Sequence, residues 1–237
     1  MERKKFLQNS LGLLSVSTLI EACKKDDVIA SGGGGGSSCV VTPEETEGPY
    51  PYPGGEITNP LQRADIKGGM TGVPLDITFI VVNTNNSCAI VSNARVDIWH
   101  CNKDGYYSGY ASQGGYLGTL SFNGQTWLRG YQFTDSTGKA TFNSIYPGWY
   151  GGRATHIHME VFVNGVLKKT TQITFPETIS DAVHTSTLYA AHGINTTRNA
   201  SDNIFNNSAT DLANETVALT GSVAAGYSGT YTIGIAL

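Results

Sequence analysis

Charge is scarce in this chain. Charged residues make up 14% of its 237, with 15 Lys+Arg against 19 Asp+Glu and a formal net charge of −4. That balance leaves no electrostatic footprint for nucleic acid, which would show as clustered Lys and Arg. Cysteine is scarce too, at four residues, and none is spaced C-x-x-C, so a zinc ribbon is excluded. Internal repeats are missing. The prominent apolar run, Leu11 to Ile20, is half of the ~20 residues that a bilayer core requires. Helical periodicity is nearly absent as well, and the one plausible helix is Ser180 to His192.

Aromatics are plentiful, with 12 Tyr, 8 Phe and 3 Trp, which excludes a disordered chain. Gly reaches 29 residues, and with many Tyr and Thr it favours strands and tight turns. Strand patterns cover Leu75–Asn83, Ala94–Cys101, Trp127–Thr134, Ala140–Ile145, Thr155–Val163 and Val166–Phe175. Asn164-Gly165 joins the last two as a two-residue hairpin turn. Thr216–Leu237 reads as a further hairpin about Gly226–Gly229, and Asn195–Ser208 as a polar surface loop. The expected fold is all-β, an antiparallel β-sandwich with long loops and at most one or two short helices.

The first 22 residues stand outside that domain. A basic start at Arg3, Lys4 and Lys5, a short apolar stretch and Ala22 before Cys23 form a signal peptide. Ile20-Glu21-Ala22-Cys23 resembles a bacterial lipoprotein box, so Cys23 is the expected lipidation site. Arg3-Lys4-Lys5-Phe6-Leu7 also looks like a weakened twin-arginine signal, which leaves the export route open. Residues 23–38, with five consecutive glycines, form a flexible tether, and a globular domain follows over 39–237. The implied location is the outer membrane or cell surface, or the periplasmic side, held through a lipid anchor only. Export permits disulfides, and the spacing favours a Cys88–Cys101 pair, with free buried thiols as the alternative.

The chemistry concentrates between Gly105 and Gln172. In a strand, residues two apart point the same way, so His156 and His158 share a face with Glu160 and Phe162. Ile157, Met159, Val161 and Val163 make the opposite, core-facing side. Two imidazoles so placed can converge on one metal ion, with iron, copper or zinc all admissible. No cysteine lies nearby, but tyrosines do. Tyr146–Arg153 is a tight, Gly-rich lead into the histidine strand, and Tyr106, Tyr107 and Tyr110 cluster in another Gly-rich turn. A phenol ionises near pH 10 unless a Lewis-acidic ion holds it ionised, so two phenolates with two imidazoles suit Fe(III).

Four motifs, running from Thr42 to Phe175, carry a resemblance. They are Thr42-Pro43-Glu44-Glu45-Thr46-Glu47-Gly48-Pro49-Tyr50, then Val96–Cys101 leading into Asp104–Ser108, then Tyr146–Tyr150, then Arg153-Ala154-Thr155-His156-Ile157-His158. In these the chain resembles the intradiol ring-cleaving dioxygenases, the group that includes protocatechuate 3,4-dioxygenase and catechol 1,2-dioxygenase. The resemblance implies a non-haem Fe(III) held by Tyr107, Tyr150, His156 and His158, with Tyr110 or Tyr116 as the alternative first tyrosine. It also implies a catalytic Arg153 assisted by Gln172, Tyr150 as the displaceable ligand, and Gly48, Pro49 and Tyr50 along the substrate cleft. The implied reaction opens a catechol-type ring with O2 to a muconate-type diacid. The alternative is a non-catalytic, prealbumin-like sandwich that binds a partner at the cell surface. The long helical N-terminal region of catechol 1,2-dioxygenases has no counterpart here, which leaves the oligomeric state open.

Overall fold

The computed structural model describes residues 40–53 and 61–237, all within the unit 32–237. The expected signal peptide, the expected tether and the expected lipidation site Cys23 lie outside the described residues. Eleven strands follow in order: β1 Pro74–Asn83, β2 Ala89–Ile90, β3 Arg95–Trp99, β4 Gln113–Gly115, β5 Gly118–Leu120 and β6 Arg129–Phe133, then β7 Lys139–Ile145, β8 His156–Val163, β9 Val166–Thr174, β10 Leu219–Ser222 and β11 Gly226–Ile235. Two short α-helices, α1 Glu177–His184 and α2 Ala209–Glu215, lie between β9 and β10. Among the described residues, no helix is long and apolar enough to cross a membrane.

The strands form two main sheets. One runs β10-β11-β1-β2 with β7 also paired to β1; the other runs β6-β3-β8-β9. β1 pairs with β11 in parallel, whereas the remaining pairings between these strands are antiparallel. Alternation builds the core: Leu75, Ile77, Phe79 and Val81 of β1 meet Val96 and Ile98 of β3 and Ile157, Met159 and Val161 of β8, all essentially inaccessible. Each such side chain contributes roughly 1.5–3 kcal/mol through burial. The β8–β9 turn uses Asn164 and Gly165 at φ 52° and 75°, both left-handed as this hairpin type demands.

The second sheet buries its outer face too. The segment 42–53 lies along it. Thr42 N donates to Gly234 O at 2.9 Å in the first sheet, and Glu45 N to Thr170 O at 2.9 Å in the second. Arg129, 1% exposed, donates to the carbonyls of Tyr50, Pro51 and Ser108 and so pins the segment down.

Three details depart from the pattern of the sequence. The helix starts earlier and ends at His184, and turns replace it up to Gly193. The 195–208 loop lies at the surface over most of its length, as its polar sequence implies, but it turns three side chains inward: Asn195, Asp202 and Phe205 are buried. The Cys88–Cys101 disulfide is not formed. Cys101 is a free buried thiol, and Cys88 is bonded to a different cysteine. The reason is topological. Cys88 sits in the β1–β2 turn, and β3 carries the chain away along the other sheet before Cys101 packs beside Trp99 and Tyr107.

Candidate metal centre

β8 presents His156 and His158 on its outer face, and its neighbours fix their orientation. His158 lies in register with Trp99 on β3 and Gln172 on β9. The Trp99 ring stacks on the imidazole at 5.1 Å and 4°. Gly48, at φ 71°, presses from outside; a Cβ there would stand 2.7 Å from His158 Cε1, so only glycine fits.

Tyr107 arrives on the loop after β3. Asn102 Oδ1 accepts from the backbone N–H of Asp104 and of Tyr106, each at 3.0 Å, to shape the turn. Gln113 then grips Tyr107 from both sides, accepting from its N at 2.8 Å and donating to its O at 2.6 Å. Tyr150 comes from the loop before β8. Gly148 N donates to Asn102 O at 3.1 Å, which ties the two tyrosine loops together.

Four side-chain atoms converge. Tyr107 Oη is 3.3 Å from His156 Nε2 and 3.1 Å from His158 Nε2. Tyr150 Oη is 3.4 Å from His156 Nε2, and the two Nε2 atoms are 3.0 Å apart. His156 Nδ1 donates to Ala154 O at 2.6 Å; a carbonyl only accepts, so Nε2 carries the lone pair. Burial lowers both imidazoles, His156 to about 3 and His158 well below its ordinary value, so both are neutral near pH 7. Burial raises both phenols, Tyr150 to about 12 and Tyr107 well above its usual range.

This donor set fits one cation. Ligands ~2.0–2.1 Å from a common ion, at angles of about 90–110°, stand roughly 2.9–3.4 Å from one another. The four separations above, 3.0–3.4 Å, keep that spacing. Without an ion the site is over-subscribed, because the single lone pair of His156 Nε2 faces Tyr107 Oη, Tyr150 Oη and His158 Nε2 at once. Among the described residues no group of three His, Cys, Asp or Glu assembles elsewhere; two phenols stand here where carboxylates or thiolates commonly would.

The other sequence-selected residues gather around this point. Tyr50 stacks on Tyr107 at 4.7 Å and meets Tyr150 edge-on at 6.0 Å, while Pro49 beside it is exposed. Arg153 Nη1 lies 3.5 Å from Tyr150 Oη, and Arg153 Nη2 donates to Gln172 Oε1 at 2.6 Å. Gln172 Nε2 donates onward to Thr46 O at 2.7 Å. Tyr110 and Tyr116 point elsewhere, donating to Pro51 O and to Asp104 Oδ1. A cleft of about 540 Å³ opens beside Tyr50 and Tyr150. One wall is a stack in which His192 lies between Tyr116, at 4.1 Å, and Trp149, at 3.9 Å. A second cleft, about 300 Å³ beside Arg95, Phe133 and Phe162, includes none of these donors.

Sequence reasoning missed Asp202, Gln113, Arg129 and His192. Asp202 accepts from Arg153 Nε at 2.9 Å. No local pattern marks these residues: the partners of Asp202, Arg129 and His192 are distant in the chain, and Gln113 bonds backbone atoms of Tyr107 across a loop with no recognisable spacing.

A sandwich with a tyrosine-histidine centre at one edge of its outer face defines the class. A family model described as a dioxygenase matches residues 46–215, most of the chain, and the chain belongs to that dioxygenase family. Its homologues and structural neighbours include intradiol ring-cleavage dioxygenases. It is 28% identical over 149 residues to catechol 1,2-dioxygenase 1 of Acinetobacter lwoffii, a match covering 55% of this chain and 45% of that protein. This chain spans about half the length of the curated relatives it matches. An intradiol ring-cleavage dioxygenase from Tetranychus urticae superposes with TM-score 0.72 at 27% identity, covering 84% of this chain and 95% of that one. The dioxygenase domain of a carbohydrate-binding fusion protein from Streptomyces sp. SirexAA-E, at 24% identity and TM-score 0.59, shares the fold and covers 84% and 99%.

Proposed function

We propose that this protein is a non-haem Fe(III)-dependent intradiol dioxygenase that opens catechol-type rings with O2. The observation that carries the reading is the convergence of two phenol oxygens and two imidazole nitrogens, each within 3.4 Å of a neighbour, beside an open cleft. Tyr107, Tyr150, His156 and His158 would hold the ion. When bound, it supplies Lewis acidity that draws electron density from a catecholate and a template for both reactants.

The chain's own groups do the rest. Tyr150 borders the cleft, so as a metal-held phenolate its Oη would stand where it can take a substrate hydroxyl proton. Arg153 places a guanidinium 3.5 Å from that atom, where it stabilises negative charge growing on the ring. Gln172 holds Arg153 Nη2, and Tyr50 and Gly48 close the face over Tyr107 and His158. Both atoms of O2 enter the product, a diacid opened between the two hydroxylated carbons, so no external reductant is needed.

The test is colour and oxygen uptake. Iron-loaded protein is expected to be red-brown from tyrosinate-to-iron charge transfer and to consume O2 with a catechol from a panel. Tyr150→Phe is expected to shift or bleach the band while the fold survives, because only one oxygen leaves a packed ring. Colourless protein at full iron occupancy, without O2 uptake, returns the reading to a binding module. For the N-terminal motif, we propose lipid attachment at Cys23 and an outer-membrane or cell-surface location. Cys23→Ser should then move the protein out of the membrane fraction, and a freely soluble wild type overturns the anchor.

A further inference from the structure

The loop at 195–205 has a polar sequence, yet Asn195, Asp202 and Phe205 are 4%, 0% and 0% exposed. All three side chains close on Arg153. Asn195 Nδ2 donates to Arg153 O at 2.9 Å. Asp202 Oδ2 accepts from Arg153 Nε at 2.9 Å and from Ala154 N at 2.5 Å. The Phe205 ring lies 5.9 Å from the guanidinium carbon. Asp202 Oδ1 is also occupied, by Ile204 N at 2.8 Å and Phe205 N at 3.4 Å.

From this arrangement, and resting on the dioxygenase reading, we infer that Asp202 is a positioning residue: its carboxylate fixes Arg153 by the Nε edge and so aims the Nη edge at Tyr150 and the cleft. An arginine side chain has several rotatable bonds, so holding it in one pose loses much rotamer entropy unless the pose is fixed by partners. Arg153 is 8% exposed, so its charge also needs a partner inside the protein. Asp202 meets both needs at Nε, which leaves the two Nη nitrogens to Gln172 and Tyr150. Gln172 takes one Nη nitrogen, and the other remains directed at Tyr150 Oη. The chemistry of the site calls for a carboxylate and not an amide. Every group that faces Asp202 in these bonds is an N–H donor. Asparagine would set its own NH2 against one of them, while a carboxylate accepts from all.

The test combines solvent exchange with kinetics. In metal-free wild-type protein, the Arg153 Nε–H resonance, assigned by its loss in R153K, is expected to exchange far more slowly than those of exposed arginines. Exchange at the exposed rate overturns the clamp, whatever the activity. In D202N the resonance is expected to lose that protection. With iron bound, D202N is expected to lower kcat about 10–100-fold with KM changed less than about threefold, the size of effect that misplacing a catalytic group produces. In an R153A background, D202N should lower kcat little further. An unchanged kcat in D202N, or an equal loss in both backgrounds, overturns the positioning role. Should wild type cleave no catechol, the dioxygenase reading fails on its own, and exchange still decides the clamp.

Discussion

The two faces of β8 are equally buried and chemically opposite. Inward, Ile157, Met159 and Val161 join a core that runs between the sheets. Outward, His156, His158 and Glu160 are 2%, 0% and 1% exposed. An antiparallel sheet commonly has one wet face, and polar residues there need no explanation. Here the polar face is dry, because the 42–53 segment and the C-terminal loops cover it. Burying a polar group costs free energy unless it is paired. The inner face holds the fold together. On the outer face Thr170 donates to Glu160 and Ala154 O holds His156 Nδ1, while the two crowded imidazole Nε2 atoms are a cost that a shared ligand would offset.

Removing one residue from each face should separate the two roles. The largest effect expected is His158→Ala: iron binding lost, and ring-cleaving activity reduced by at least about 10³-fold, as for loss of a group central to the chemistry. The metal-free variant should still fold. Iron stoichiometry and a melting curve check both halves, and full iron occupancy in the variant would break the assignment. Met159→Ala, one position away, should do the reverse. It should cost about 2–5 kcal/mol of stability as a core truncation, yet keep iron and colour at temperatures below its melt. Lost iron binding in the folded variant would show that the two faces are not separable.

The smallest effect concerns Glu215, at the end of α2. It is fully buried, and burial, then the nearby Glu45 and Asp211, push its carboxyl up to about 8. The folded protein therefore keeps a proton that the unfolded chain releases above about pH 4.5, so stability falls as pH rises from about 4.5 to about 8. Glu215→Gln removes that dependence. The variant should melt a few degrees above wild type at pH 9 and near it at pH 5. Parallel melting profiles would mean that the proton is not shared within this group of carboxyls.

What could be read directly from the chain follows from the range of each signal. Period-two alternation located β3 and the two faces of β8, and an apolar, β-branched run located β1, because these signals depend on adjacent residues alone. Asn164-Gly165 located a turn for the same reason. The grouping of Tyr107, Tyr150, Arg153, Gln172 and the two histidines came from a family resemblance. No spacing rule could choose Tyr107 over Tyr110; the structure separates them by the direction of a phenol, toward the imidazoles or toward Pro51. The burial of Asp202 stayed hidden because its partner is 49 residues away. A run of Asn, Ser and Thr that is mostly exposed gives no local sign of the few side chains it turns inward. The cysteine pairing failed likewise, since the spacing said nothing about which end of the sandwich each residue reaches.

The parallel union of β1 and β11 has a consequence for the order of assembly. Leu75 pairs with Tyr227 and Asn83 with Ile235, about 150 residues apart in the chain, and β11 lies inside its sheet between β10 and β1. Loop-closure entropy must be met before such a contact returns anything, so long-range pairing slows folding. Until β11 arrives, β1 offers one unpaired edge, and the core lacks Tyr231, Ile233 and Ile235. A chain emerging from the ribosome therefore exposes β3, β8 and β9 well before the sheet that backs them can close, and late synthesis is its most aggregation-exposed interval.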